Sequence, residues 1–525
     1  MKCRLAALAC LVCLPLSVAT AHAQSPAEVR AAHAYDAAIK GGPLALHAFL
    51  DQFPKGADLH VHLSGAVYAE TFIKDAAEDG LCIDPKALAI VEPPCAPPLE
   101  PATDLNGVLT PAEQSLYNWL VDSLSMRSFV PTPDFSGHDQ FFATFDRVHG
   151  LSKKHIGEWV DEIANRAASQ NQQYLELMET PPFQHAASLS RQNPLNMDFA
   201  AYRNTLKSVG GLEEVFADRE HVHAAEGLRR DIEHCGTPEA TPACKVTVRY
   251  IYQVLRDQPP EQVFAQTLLG FETVQASMDA HDNTWVGINF VRPEDSYICM
   301  RDYALQMKMV EYLHSVYPKV HISLHAGELA PGLVPPEGLR FHVRQAVEEG
   351  HSERIGHGVD VMYEDNAQAL LKEMAQKHVM VEINLSSNEG ILGIKGAEHP
   401  FPIYRAAHVP VALSTDDEGV SRIELTHEYV RAALDYHLTY QDLKQLARTG
   451  MEHNFLPGPS LWTKPDTFTL AADACRGQLP GSDPPTVSCK TFLDGSQKAT
   501  AQWEQERRFR VFEAQFQGVA DGPHN

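Results

Sequence analysis

The stretch DLHVHLSG, residues 58–65, places two histidines at alternate positions of a short apolar segment. Residues i and i+2 of a β-strand point to the same side, so His60 and His62 are expected to face one interior. Seven more short apolar or β-branched segments predict strands: YLELME (174–179), KVTVRYIYQV (245–254), WVGINFV (285–291), KVHISLHAGE (319–328), ERIGHG (353–358), HVMVEINLSS (378–387) and VPVALSTDD (409–417).

Segments with helical periodicity separate these strands. They are EWVDEIANRAASQ (158–170), PEQVFAQTLLGFETVQASMDA (260–280), YALQMKMVEYLHSV (303–316) and NAQALLKEMAQK (366–377). Eight strands that alternate with helices predict an α/β protein with a (β/α)8 TIM barrel. Periodicity alone leaves a doubly wound open sheet as the alternative.

Composition and charge exclude several classes of protein. The chain has 525 residues, 44% of them hydrophobic, so it is long enough to bury a full core and is not disordered. Its formal net charge of -25 repels the phosphate backbone of nucleic acids. We therefore expect a small-molecule substrate and no nucleic acid polymer as a partner.

The first 23 residues, MKCRLAALACLVCLPLSVATAHA, have the pattern of a signal peptide. Lys2 and Arg4 precede an apolar run, and Ala21-His22-Ala23 offers a small-x-small cleavage site. The run is shorter than the roughly 20 residues that cross a bilayer, and no long apolar stretch follows it. The sequence predicts an exported protein, periplasmic or secreted, without a membrane span.

We expect three regions: the signal peptide (1–23), a barrel (24–450) with insertions near 80–136 and 234–244, and a C-terminal irregular and helical extension (451–525) packed on the barrel. Six of the seven remaining cysteines form close sequence pairs, as disulfides of exported proteins do. The predicted disulfides are Cys82–Cys95, Cys235–Cys244 and Cys475–Cys489. Cys299 is then a free thiol, expected to be buried.

Several residues that can do chemistry follow predicted strands. His325, His357 and Asp416 each end another strand, and strand C-termini converge on the face where barrel active sites are built. Imidazole and carboxylate ligands without thiolates match zinc. The expected ligands of one zinc ion per chain are His60, His62, His325 and Asp416.

The neighbours of these ligands suggest a reaction. Glu328 follows His325 by three residues, which makes it a candidate proton shuttle, and Asp417 can diverge from Asp416 toward a substrate. A zinc ion lowers the pKa of bound water to about 7, so hydrolysis is the natural reaction class. The chain has no GxSxG elbow, GxGxxG fingerprint or P-loop that would indicate another chemistry.

Five ordered motifs resemble the adenosine deaminase family over roughly residues 54–450, with most similarity to its secreted, growth-factor-type members. The motifs are PKGADLHVHLSGA (54–66), SLHAGE (323–328), RIGHGVD (354–360), INLSSN (383–388) and LSTDDE (413–418). The resemblance implies a zinc-dependent deamination of adenosine or 2'-deoxyadenosine. Glu328 would protonate the purine at N1, His357 would orient or deprotonate the attacking water, and Asp417 would hydrogen-bond N7.

Two positions depart from the family pattern. Ser64 stands in HLSG where many members have HLDG and use the aspartate near the ribose. Arg292 follows the fourth predicted strand where members usually have a glycine whose backbone approaches the purine. Both residues are expected at the substrate site. Arg292 would either contact an anionic or extended substrate group or turn outward.

Three functions remain open from the sequence. The first is deamination of adenosine or 2'-deoxyadenosine, and the second is hydrolysis of another aminopurine derivative or amide-like bond by the same residues. The third is a non-catalytic secreted binding protein on the same scaffold, which would have no need of a proton shuttle. A homodimer is compatible with the long loops and the C-terminal helix.

Overall fold

The computed structural model describes residues 25–516, apart from residues 149, 152 and 196. The predicted signal peptide, residues 1–23, lies outside this part of the chain. The strands are β1 (Gly56–His62), β2 (Cys82–Asp84), β3 (Ala89–Val91), β4 (Glu100–Pro101), β5 (Gln172–Glu179), β6 (Thr247–Leu255), β7 (Trp285–Val291), β8 (His321–Ala326), β9 (Arg354–His357), β10 (Met380–Ile383) and β11 (Val411–Leu413).

Eight of these strands form one parallel sheet in the order β1-β5-β6-β7-β8-β9-β10-β11. The residues after β11 join β1, because the Asp416 N–H donates to the His60 carbonyl (2.9 Å) and the His62 N–H donates to the Asp416 carbonyl (3.2 Å). The sheet is therefore a nearly closed barrel. The predicted (β/α)8 fold is confirmed, and the open-sheet alternative is wrong.

Helices connect and cover the strands. They are α1 (Pro26–Lys40), α2 (Pro43–Gln52), α3 (Leu63–Ala66), α4 (Ala69–Glu78), α5 (Pro111–Ser123), α6 (Gly137–Arg147), α7 (Ile156–Ser169), α8 (Gln184–Gln192), α9 (Phe199–Ser208), α10 (Glu214–Ile232), α11 (Pro260–Asp279), α12 (Tyr297–Val316), α13 (His342–Glu348), α14 (Ala367–Lys377), α15 (Leu385–Leu392), α16 (Phe401–Ala406), α17 (Glu418–Ser421), α18 (Leu425–Asp435), α19 (Tyr440–Glu452), α20 (Val487–Asp494) and α21 (Gln497–Ala514). Among the described residues, no helix is long and apolar enough to cross a membrane.

The strand predicted over residues 378–387 is too long. β10 ends at Ile383, and the Asn388 N–H donates to the Asn384 carbonyl (2.9 Å) at the beginning of α15. The polar residues after Ile383 form their backbone hydrogen bonds within a helical turn. A strand that extended beyond the barrel rim would leave these backbone groups without partners. The helices predicted over 158–170, 260–280 and 366–377 agree with α7, α11 and α14 to within two residues.

The first crossover, from β1 to β5, carries the large insertion predicted from the proline-rich segment. It contains an antiparallel sheet in the order β3-β2-β4, followed by α5 and α6. The Cys82–Cys95 disulfide ties β2 to the segment that precedes β4. The insertion is therefore an ordered substructure, and α6 packs against α15 at the rim of the barrel.

All three predicted disulfides are present. The Cα–Cα distances are 5.3 Å for Cys82–Cys95, 5.5 Å for Cys235–Cys244 and 4.4 Å for Cys475–Cys489. Cys299 is free and buried, as predicted.

The last helix, α21, lies across the N-terminal ends of the barrel strands. The Gln505 side chain donates to the Pro54 carbonyl (2.8 Å), which precedes β1. Arg508 donates to the Gln172 carbonyl (3.1 Å), and Gln173 donates to the Ala501 carbonyl (2.7 Å). This helix therefore covers the end of the barrel opposite to the predicted site.

Candidate active site

The C-terminal ends of the barrel strands surround a cavity of about 700 Å³. Eight of the nine predicted site residues line it: His62, Ser64, Arg292, His325, Glu328, His357, Asp416 and Asp417. The ninth, His60, is fully buried, with its ring centroid 4.5 Å from that of His325 and 4.9 Å from that of His357. The structure thus brings all nine residues to one face of the barrel.

Three imidazoles and one carboxylate converge at the closed end of the cavity. His62 Nε2 lies 3.2 Å from His325 Nε2 and 3.1 Å from Asp416 Oδ1. His60 Nε2 lies 3.4 Å from the same Asp416 oxygen. Neither His60 Nε2 nor Asp416 Oδ1 has a hydrogen-bond partner, although both atoms are buried. Buried donor atoms that converge without hydrogen bonds are what a metal site requires.

The other ring nitrogen of each of these histidines has a fixed partner. His60 Nδ1 donates to Glu382 (2.6 Å), His62 Nδ1 to the amide oxygen of Gln253 (2.9 Å), and His325 Nδ1 to the amide oxygen of Asn289 (2.8 Å). These contacts leave the Nε2 lone pairs directed at the common centre. Asp416 is fixed too, because the Ser387 hydroxyl donates to its Oδ2 (2.6 Å).

Sequence reasoning missed these partners, although two of them leave a signal. Glu382 and Asn289 are fully buried polar residues within the apolar strands β10 and β7. A carboxylate or amide in such a strand has to find a buried partner. Which histidine it contacts depends on the register between strands, which the sequence does not state.

The protonation states of the four donors differ. Burial lowers the pKa values of His60 and His62, but the neighbouring carboxylates outweigh this, raising that of His60 to about 10 and that of His62 above its usual value, so a metal ion would displace protons from both rings. Burial lowers the pKa of His325 well below its usual value, and the neighbouring His60 and His357 lower it further. Burial raises the pKa of Asp416, but the close contacts with His60 and His62 and the nearby His357 outweigh this and hold the pKa well below its usual value. A neutral imidazole and an ionised carboxylate are the protonation states that bind a metal ion.

Glu328 is a buried carboxyl that lines the same cavity. Its pKa lies well above the usual value because of burial, the charge of Asp416 and the charge of Glu294. Its Oε1 has no hydrogen-bond partner and lies 3.5 Å from His357 Nδ1. Glu328 therefore carries a proton near neutral pH and can give it to a bound molecule.

The loop that carries Glu328 is held by Glu294, a buried residue that sequence reasoning missed. The two carboxylate oxygens of Glu294 accept the N–H groups of Gly327 (3.0 Å) and Glu328 (2.9 Å). Burial raises the pKa of Glu294, but Arg256 and His342 lower it to about 2. An ionised carboxylate thus fixes the backbone next to the protonated one.

A chain of hydrogen bonds determines which nitrogen of His357 carries the proton. The Phe401 N–H donates to His399 Nδ1 (3.1 Å), so His399 Nε2 donates to the amide oxygen of Asn388 (3.0 Å). The amide nitrogen of Asn388 then donates to His357 Nδ1 (2.9 Å). Burial lowers the pKa of His357 to about 3, so its neutral ring carries the proton on Nε2. That nitrogen lies 3.9 Å from Asp416 Oδ2.

Asp417 directly follows Asp416 and is also buried. Its side chain lies so close to Gly65 that a Cβ on this glycine would overlap the carboxylate. Burial raises the pKa of Asp417 to about 7; His62 opposes this rise and Asp416 adds to it. Oδ1 of Asp417 is buried without a hydrogen-bond partner, so it is available to a ligand.

Ser64 and Arg292, the two residues that depart from the family pattern, both line the cavity. The Ser64 side chain is exposed to it. Arg292 has a φ of 104°, a backbone conformation that favours glycine, and Arg256 fixes it by donating to the Arg292 carbonyl (3.1 Å). The side chain of Arg292 is 40% exposed and pairs with Asp257 (3.3 Å), so it lies at the cavity mouth beside a carboxylate.

Comparison with known proteins identifies relatives of this chain. A family model described as adenosine deaminase matches residues 126–461. Adenosine deaminases of two Clostridium perfringens strains, ATCC 13124 and SM101, are each 33% identical over 135 residues, which is 26% of this chain and 37% of those proteins. The matched region therefore spans little more than a third of the length of these curated relatives.

Two solved structures share the fold. Arabidopsis ADAL complexed with IMP is 21% identical, covers 78% of this chain and 93% of its own, and has a TM-score of 0.51. A COG1816 amidohydrolase from Burkholderia ambifaria with bound Zn is 17% identical, covers 78% of this chain and 88% of its own, and has a TM-score of 0.51.

The family match extends over well over half of the chain and contains β5 to β11. His60, His62 and Ser64 precede the matched region. The other six predicted site residues lie within it: Arg292, His325, Glu328, His357, Asp416 and Asp417. The chain belongs to the adenosine deaminase family.

Proposed function

We propose that the protein is a zinc-dependent hydrolase that converts adenosine or 2'-deoxyadenosine to inosine or 2'-deoxyinosine with release of ammonia. One observation carries the proposal: the buried carboxyl of Glu328 lies next to His357 and the group of four metal donors at the closed end of one cavity. A proton donor beside a metal site is the arrangement that hydrolytic removal of an amino group needs.

His60, His62, His325 and Asp416 would hold the zinc ion. Their donor atoms all lie within 4.8 Å of one another, and three nitrogens with one oxygen form a ligand set typical of zinc. When bound, the ion makes a water molecule nucleophilic at neutral pH.

The remaining residues handle protons and orientation. Glu328 gives its proton to a ring nitrogen of the purine, which makes the amino-bearing carbon electrophilic. His357 carries its proton on Nε2, so it orients the attacking water by donating a hydrogen bond. Asp417, with its pKa near 7 and a free buried oxygen, bonds a second ring nitrogen.

The charges around the cavity favour a nucleoside over a nucleotide. Besides the catalytic carboxyls, Asp146, Glu179 and Asp257 line it, whereas Arg292 is its one arginine or lysine among the described residues. Asp257 already pairs with that arginine. A phosphate group would meet an arginine whose charge Asp257 already balances, so AMP should be a poor substrate.

Ammonia release by the zinc-loaded protein tests this function. Adenosine, 2'-deoxyadenosine, adenine and AMP are compared, and the zinc content is measured on the same sample. We expect turnover of the two nucleosides and little turnover of AMP. Bound zinc without turnover of any of the four compounds would refute the proposal.

Ser64 and Arg292 favour a second candidate, a deaminase of another aminopurine derivative that uses the same residues. A serine hydroxyl bonds a sugar without the charge assistance of an aspartate, so recognition of the ribose is weakened. In the same assay, aminopurines with altered sugars would then be turned over faster than adenosine.

The three disulfides support a site of action outside the cytoplasm. Disulfides persist in oxidising compartments. With the signal-like first 23 residues, they lead us to extend the proposal to an exported, periplasmic or secreted enzyme. Fractionation of cells that express the full chain checks this.

A further inference from the structure

A second cavity, of about 480 Å³, lies at the opposite end of the barrel from the candidate active site. The first residues of β5 and β6 form one wall, and α21 forms the other. On α21 the lining residues Gln497, Ala501, Glu504 and Arg508 recur at helical spacing, so one face of the helix covers the cavity. This volume is in the range of small-molecule sites, which is roughly 300–1,000 Å³.

The cavity is basic although the protein is strongly acidic. Lys245, Arg249 and Arg508 line it against a single carboxylate, Glu504. The whole chain has 43 lysines and arginines against 68 acidic residues. Three cations around one cavity with one acid therefore run against the composition of the molecule, and their combined charge attracts an anion.

Two of these cations lack an ionic partner. Within the described part of the chain, no carboxylate lies within 4.0 Å of the side-chain nitrogens of Lys245 or Arg249. Arg249 donates only to the Val248 carbonyl (2.8 Å) and the Gln497 side chain (3.3 Å). Its Nε is buried and has no hydrogen-bond partner. An arginine with unused donors facing a cavity is a ready site for a forked anion.

The third cation is held in position by the fold. Arg508 donates to Asn171 Oδ1 and to the Gln172 carbonyl, both at 3.1 Å, and pairs with Glu504 (3.0 Å). Glu504 also pairs with Arg507 (2.6 Å), so its charge is shared between two arginines. The net charge of the lining therefore remains positive.

The rest of the lining suits an uncharged organic part of a ligand. Tyr174 and Leu456 are buried apolar side chains, and Thr247 and Thr500 supply hydroxyl groups. A bare ion would leave most of this surface unused. The cations favour an anionic group. The remaining walls favour a polar organic group, of about the size of a sugar, to which that anionic group is covalently attached.

We infer that this cavity binds a phosphorylated small molecule, with its phosphoryl group held by Lys245, Arg249 and Arg508. The site joins the barrel to α21, so its ligand stabilises the docking of that helix. It is independent of the deamination proposed for the other end.

Isothermal titration calorimetry of the zinc-loaded full chain with ribose 5-phosphate tests the site, in a buffer without phosphate. Inorganic phosphate and unphosphorylated ribose are titrated in parallel. We expect saturable binding of ribose 5-phosphate, weaker binding of inorganic phosphate and no binding of ribose. Lys245→Gln and Arg249→Gln should each weaken binding about tenfold or more, because each removes a charge-assisted hydrogen bond.

Arg510→Gln is the matched control, since Arg510 is exposed on the same helix and does not line the cavity. It should leave the affinity unchanged. Arg249→Lys keeps the charge and should retain more affinity than Arg249→Gln. Thermal unfolding of every variant verifies that it is folded. Lys245 is exposed, so its substitution should not disturb the packing of the core.

Two results would overturn the inference. One is the absence of saturable binding of both ribose 5-phosphate and inorganic phosphate to the unaltered protein. The other is binding that is the same in Lys245→Gln and Arg249→Gln as in the unaltered chain, because the phosphate would then be at the metal end. Neither result bears on ammonia release from adenosine, so failure here is distinguishable from failure of the proposed function.

Discussion

The same barrel strands line both cavities, an acidic one at their C-terminal ends and a basic one at their N-terminal ends. On β6, Gln253 and Leu255 line the acidic cavity, whereas Thr247 and Arg249 line the basic one. Ile251 lies between these pairs and packs with Met178 and Phe455 in an apolar cluster. Inward-facing residues of one strand thus contribute to two sites separated by a hydrophobic layer.

The ends differ in how their polar groups are satisfied. At the catalytic end, His60, His62, His325 and His357 each have one nitrogen fixed by a partner and the other free of hydrogen bonds to such a partner, close to the predicted metal site. At the basic end, Lys245 and Arg249 are not fixed by carboxylates within the described residues. A hydrogen bond to the second ring nitrogen orients each histidine for a reaction. Unused donors, by contrast, provide affinity for a ligand.

The largest expected effect is that of Glu328→Gln at the catalytic end. Glutamine keeps the shape but has no acidic proton, so turnover of adenosine should fall by about 10²–10⁴-fold. Zinc content and binding of ribose 5-phosphate should not change. Ammonia release, metal analysis and calorimetry on one preparation check this. Turnover within a few fold of the unaltered protein would contradict the assigned role of Glu328.

Removal of the metal should also separate the two ends. Treatment with a chelator should abolish ammonia release, and added zinc should restore it. Binding of ribose 5-phosphate should survive in the metal-free protein, because the basic cavity shares no residue with the metal group. Loss of that binding together with the metal would mean that the phosphate had been held at the catalytic end.

A pair of substitutions on β6 should affect one end each. Gln253→Leu removes the acceptor of His62 Nδ1, so zinc affinity should fall about 10–100-fold while ribose 5-phosphate binding remains. Arg249→Gln should weaken the binding of ribose 5-phosphate and leave the zinc affinity unchanged. Zinc competition with a chelating dye and calorimetry measure the two affinities. Equal losses in both assays from either variant would mean that the apolar layer does not insulate the cavities.

The sequence predicted most of the catalytic end, but of the basic end only that the C-terminal extension packs somewhere on the barrel. His325, His357 and Asp416 follow strands whose C-terminal ends must converge in a barrel, so their meeting follows from the fold class. The basic cavity depends on the docking of α21 across the strand N-termini. That docking is a tertiary arrangement. Helical periodicity in residues 501–516 predicts a helix but not the part of the barrel on which the helix packs.

The supporting partners of the catalytic end were also hidden. Glu294 and His399 reach Glu328 and His357 through backbone N–H groups and an asparagine, across more than thirty residues of chain. Such contacts depend on loop conformation and strand register. Arg292 is a further example. The sequence showed that an arginine stands where the family usually has a glycine, but not that its backbone has a φ of 104°.

The smallest expected effect concerns that backbone. Arg292→Gly should relieve a conformation that costs a residue with a Cβ roughly 1–2 kcal/mol, less the entropy that glycine gains in the unfolded chain. The free energy of unfolding, measured by denaturant titration, should therefore rise by up to about 1 kcal/mol. Arg292→Lys, which keeps the Cβ, should give no such gain. A loss of stability in Arg292→Gly alone would mean that the Asp257 ion pair and the packing of the side chain outweigh the strain, and that Arg292 stabilises the mouth of the catalytic cavity.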